Sequence, residues 1–120
     1  MAPLAKLMTN YHHEERNLLF MTEHVWETNW KSLAENFLEG YLLSFTHLKT
    51  LHPITPTRLC RKIPGGEGFT GYHSFYDPAC PERGPFHEDL TEEERRNSIL
   101  TCAYPALLFS VATHYTLFLC

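Results

Sequence analysis

The feature that most constrains this chain is an apolar stripe running from Trp30 to Phe45. Trp30, Leu33, Ala34, Phe37, Leu38, Tyr41, Leu42 and Phe45 recur at three- and four-residue steps, the period of one helix face. Thr28 or Asn29 supplies an N-cap. Lys31, Ser32, Glu35, Asn36 and Glu39 fall off the stripe. The spacing predicts one amphipathic helix with its stripe in the core. Gly40 interrupts it at a cost of about 1 kcal/mol relative to alanine. A glycine there marks close approach of another backbone or a weak point near the helix end. His47 and His52 follow, and Pro53 and Pro56 stop any further helix.

The flanks read differently. Met1 to Asn10 shows no clear period. Tyr11 to Thr28 reads as one or two strands, since Leu18 and Phe20 alternate with other residues and Val25-Trp26 favours extended backbone. In a strand His12 and His13 would point to opposite faces and could not easily share an ion, so His12-His13-Glu14-Glu15 reads as a solvated polar stretch. Arg58 to Pro64 and Phe69 to Tyr76 predict a hairpin around the turn residues Gly65-Gly66-Glu67-Gly68. No phosphate-loop pattern accompanies these glycines. Asp77 to Asp89 is loop. Thr91 and Glu94 form a capping box for a short helix from Glu92 to about Ile99. Ala106 to Cys120 reads as two strands, with Val111 to His114 near their junction. Tyr72, His73, Phe75 and Tyr76 read as sheet core, with an aromatic pocket for a cationic ligand as the competing reading. The order of elements predicts a single-domain α+β fold, a partial antiparallel sheet with helices packed on one face.

Composition narrows the function classes. The chain has 120 residues, enough for one core. Its net charge of -4 gives no electrostatic reason to expect nucleic acid. The longest apolar run, Ala106 to Cys120, is too short and too interrupted to span a membrane. No secretory signal is visible, which points to the cytoplasm. Cys60, Cys80, Cys102 and Cys120 form no Cys-x-x-Cys or Cys-x-His pair, so they read as partly buried reduced thiols. The apolar strand pattern is still running at Cys120, which reads as a partial domain or one whose sheet a partner completes.

Three blocks carry a resemblance: Asn29-Trp30-Lys31, Glu35 to Tyr41, and Ser44-Phe45-Thr46-His47. Together they closely resemble the catalytic domain of Rieske-type non-haem iron oxygenases, the alpha subunits of ring-hydroxylating dioxygenases and related monooxygenases. The Glu-Gly-Tyr form looks most like the branch acting on carnitine, choline or glycine betaine. Weaker likeness extends to Asn10-Tyr11-His12, to Leu90 to Arg95 and to Tyr104-Pro105. The resemblance implies a helix-grip-like domain, spanning residues 1–120, in which O2 and electrons from a [2Fe-2S] cluster serve hydroxylation of a small organic substrate. It implies mononuclear Fe(II) held by two His and one carboxylate, homotrimers, a Rieske domain on the neighbouring subunit, and a reductase. The family's motif is an acidic residue, two spacers, His, four spacers, His. On this chain Glu39 matches the acidic electron relay, His47 the second iron ligand, and Asn36 a position near the iron.

This chain departs from that pattern. Leu42 stands where the first His belongs. The family's carboxylate ligand falls beyond Cys120, and the Cys and His pairs of a Rieske domain are absent. The expectation is therefore a partial or degenerate catalytic domain, inactive alone. A non-catalytic binding module on the same scaffold and a small His-rich metal protein stand as alternatives. His52, five residues after His47, is a possible substitute ligand. Glu39 as an exposed helical acid and His47 as a helix C-terminal His also stay open.

Overall fold

The computed structural model describes residues 2–82, 84–105, 107–113 and 115–119. Five strands form one antiparallel meander in chain order: β1 (Cys60–Gly66), β2 (Phe69–Phe75), β3 (Asn97–Ala103), β4 (Leu107–Val111) and β5 (Thr116–Leu119). Among the described residues four short α-helices accompany it: α1 (Ala2–Met8), α2 (Trp30–Phe37), α3 (Leu42–Phe45) and α4 (Glu92–Arg95). The architecture is the expected α+β class. The β1–β2 hairpin is also as expected, and Gly68 turns it at φ 85. Pro64 sits in the edge strand β1, where a missing N–H is tolerated.

The centre of the sheet is β3, which pairs with β2 from Phe75↔Asn97 to Phe69↔Ala103 and with β4 from Ile99↔Val111 to Ala103↔Leu107. The helix expected from Glu92 to Ile99 stops at Arg95 instead. The capping box forms as read: Thr91 Oγ1 accepts from the Glu94 N–H at 3.3 Å, and the Thr91 N–H donates to Glu94 at 2.8 Å. The acidic first turn favours helix. From Asn97 onward, Asn, Ser, Ile, Thr and Cys are poor helix formers. There the sequence buries both its faces between two neighbouring strands, and tertiary pairing decides.

The two sheet faces are covered by different segments. Ile63, Phe69, Ile99, Ala103, Phe109 and Val111 point to one face and meet Leu4, Tyr11 and Leu90 there. Cys102 and Leu108 point to the other and meet Ala34, with Leu33, Phe37 and Leu38 beside it. So α2 covers one face, while the helical N-terminal segment covers the opposite one rather than sharing it. Tyr72 and the pair His73 and Phe75 likewise alternate across β2. They do not line one aromatic pocket.

Residues 11–28 form no strand. After 3-10 turns at Thr9–Tyr11 and His13–Glu15, the backbone runs without regular structure to Asn29. Leu18, Leu19, Phe20, Met21 and Val25 are exposed. Alternation there has no neighbouring ladder to pair with, and a lone strand is not stable.

Candidate iron-site segment and a second donor cluster

The predicted helix is two helices. Asn29 caps α2, its Oδ1 accepting from the Lys31 N–H at 2.9 Å. The helix ends at Leu38, whose N–H donates to Ala34 and Glu35 carbonyls at 3.0 and 3.1 Å. The chain then crosses β1 and β2 before α3 begins. Gly40 lies so close to the sheet that a Cβ there would stand 2.7 Å from Cys60 Sγ. Its carbonyl accepts from Thr57 Oγ1 at 3.0 Å. The weak-point reading of Gly40 holds, since the helix ends just before it, while the close approach is that of the Cys60 side chain rather than of another backbone. The stripe is not all core: Ala34 is buried and Leu33, Phe37, Leu38 and Leu42 are half-buried, while Trp30, Tyr41 and Phe45 are exposed.

Beneath this crossing lies an open depression of about 340 Å³ lined by Leu38, Gly40, Cys60, Lys62, Thr70 and Tyr72, with Gly71 at its floor. Burial pushes the Cys60 thiol up, more than its hydrogen bond with Ser74 and the Arg61 charge draw it down. Burial, aided by Cys60, also holds the Tyr72 phenol above its ordinary value. At neutral pH the depression thus presents a neutral thiol and a neutral phenol, a poor setting for a thiolate nucleophile.

Asn36 is exposed on α2, and Glu39 is half-buried in the connection to α3. A hydrogen bond from the Tyr41 hydroxyl reaches Glu39 and raises the Tyr41 phenol. His47 is exposed just beyond α3, with Nδ1 3.5 Å from Thr50 Oγ1. Its carbonyl accepts from the N–H groups of Thr50, Leu51 and His52 at 3.1, 3.1 and 3.0 Å. Among the described residues, the donor groups close enough to share an ion are His12, His87 and Asp89, and His12, Glu14 and Glu15. Neither contains Glu39, His47 or His52. Leu42 contributes no donor atom. The side chains present here do not fit a two-His, one-carboxylate iron site.

The second donor cluster was not legible. His12 lies in a left-handed turn (φ 45), not a strand. The polar stretch is not uniformly solvated: the His12 side chain is 24% exposed and stacks on His87, whereas Glu14 and Glu15 are open to solvent. His13 turns away, placing Nδ1 3.0 Å from Thr116 Oγ1. The two His remain apart, as expected, but a turn separates them rather than strand alternation. Cys60 and Cys80 are half-buried and Cys102 buried, all three free, as the reduced-thiol reading has it. Cys120 and His114 lie outside the described residues.

The family model for the ring-hydroxylating alpha subunit, catalytic domain, matches residues 8–119. The chain therefore belongs to that family of oxygenase catalytic domains. The family uses mononuclear iron together with a Rieske [2Fe-2S] cluster, and its complete members work on an organic substrate within multi-subunit assemblies. No curated protein and no solved structure gives a significant match. No helix among the described residues is long and apolar enough to cross a membrane.

Proposed function

We propose that this chain carries the ring-hydroxylating scaffold without a working iron centre, a degenerate catalytic domain that does not turn over alone. The observation that carries this reading is Leu42, an alkyl side chain at the first-His position of the family's motif. The exposure of His47, which belongs to neither three-donor group among the described residues, supports it. On this reading Glu39 keeps the relay position, Asn36 the position one turn before it, and His47 the second ligand position. The substrate class of active relatives is a small organic molecule. Their partners are a neighbouring subunit's Rieske domain within a homotrimer, and a reductase. Free thiols at Cys60, Cys80 and Cys102 support a reducing, cytoplasmic setting.

Anaerobic loading with Fe(II), desalting and iron analysis tests this, run in a His12→Ala background so that neither donor group outside the motif contributes. The unaltered motif is expected to retain iron at the same background as its His47→Ala variant. Leu42→His should raise retention, and adding His47→Ala should return it to background. About one iron per chain with Leu42 in place, lost on His47→Ala, would overturn the reading. No gain from Leu42→His in a chain extended to supply the family's carboxylate ligand would show that the motif has been placed wrongly on this chain.

A further inference from the structure

On the sheet face away from α2, imidazole and carboxylate groups from two distant segments converge. We propose that His12, His87 and Asp89 form a binding site for a zinc-type divalent transition-metal ion, separate from the family's iron position. His12 Nε2 lies 2.9 Å from Asp89 Oδ2, and His87 Nδ1 lies 3.7 Å from the same oxygen. One donor atom from each residue falls within 4.8 Å of the others. A tetrahedral zinc site with bonds of about 2.0–2.1 Å needs its ligand atoms about 3.3–3.4 Å apart. The two measured separations bracket that spacing. The Asp89 N–H now donates to His87 Nδ1 at 3.3 Å, a contact that ligation through this nitrogen would replace.

Ligation would also open the stack of the two imidazoles, because their nitrogens bind an ion in the plane of each ring. The two rings stack with centroids 3.9 Å apart and an interplanar angle of 26°. The far nitrogen of His12, Nδ1, faces Glu14 at 3.6 Å and Glu15 at 3.8 Å. Glu15 also stands 3.9 Å from His87 Nε2. Carboxylates behind a ligating imidazole fix its tautomer and raise its basicity, which strengthens the metal bond. Imidazole donors select zinc, nickel or copper over magnesium and calcium, which prefer oxygen. Three protein ligands leave a fourth position, and the exposed side of His87 and Asp89 gives water access to it. His12 and Asp89 are separated by 77 positions, so a bound ion would tie the N-terminal segment to the loop before α4.

Titration calorimetry of the tag-free, chelator-stripped chain with Zn²⁺ alone tests the site. One ion per chain is expected. His87→Ala and Asp89→Asn should each weaken binding about tenfold or more, while substitution of the exposed His24, as His24→Ala, leaves it unchanged. Zn²⁺ should raise the Tm of the parent chain and not that of His87→Ala, because only a folded site binds the ion. Both substituted side chains are partly exposed, and circular dichroism of the variants checks that the fold is kept. Absence of zinc binding, full affinity in both His87→Ala and Asp89→Asn, or loss of binding in His24→Ala would each overturn the proposal.

Discussion

The α2–α3 segment and the His12–His87–Asp89 cluster lie on opposite faces of one sheet and present opposite cases. The first carries a recognisable motif, yet its donors are dispersed: Glu39 in the connection, Leu42 inert, His47 in solvent. The second carries no motif, yet its donors converge to within 4.8 Å. A motif records spacing along a chain and becomes a site only if the backbone keeps the geometry that spacing assumes. Here Gly40 breaks the helix between Glu39 and His47. The other cluster needs no regular element. It needs two loops anchored beside each other by Tyr11 and Leu90, which share the core of that face.

The two faces should therefore differ in how firmly they hold. Ile99 is buried at the centre of the N-terminal face, and Ile99→Ala is expected to cost about 2–5 kcal/mol. Phe37, only half-buried where α2 meets the sheet, should cost about 1–2 kcal/mol as Phe37→Ala. Urea unfolding of both variants measures the gap, and equal losses would break the comparison. A smaller effect is expected at the capping box. Thr91→Ala should lower stability by about 1 kcal/mol. It should do so partly by loosening Glu94 from Asn10, whose Nδ2 donates to the Glu94 carboxylate at 3.1 and 3.2 Å.

The gentlest probe is pH. Burial first, and then the Arg16 charge, hold the His13 imidazole below its ordinary value. Below the unfolded value of about 6.5 the unfolded chain binds a proton that the folded state resists, so stability should fall as pH falls. Glu94 acts in the same direction at lower pH. Burial pulls its carboxyl up, but hydrogen bonds from Thr91 and Asn10 bring it below the ordinary value. Its contribution is present above the unfolded carboxylate value and lost as pH drops through the folded one. Thermal melts should thus lose Tm between about pH 7 and 5, and His13→Gln should flatten that limb. An unchanged slope in that variant would place the acid sensitivity elsewhere.

Local chemistry made much of this chain legible. The Asn29 cap, the Thr91–Glu94 box, the hairpin with its glycine turn and the last two strands all depend on neighbours within a few positions. The readings that failed depend on partners elsewhere. Leu18 and Phe20 alternate, but nothing lies beside them to make a strand. Asn97 to Ala103 follows a well-capped helix start, yet it is the central strand because β2 and β4 flank it.

The sequence by itself determined the family, through Asn29 to His47, and the alkyl side chain at Leu42, because side-chain identity needs no coordinates. It also determined the caps and turns, whose hydrogen bonds close over three or four residues. The tertiary structure alone decided that the helix breaks where Gly40 meets Cys60, and that the two sheet faces have different covers. It alone brought His12 to His87 and Asp89. Contacts across tens of residues follow from how the chain packs as a whole, and no local period or spacing encodes them.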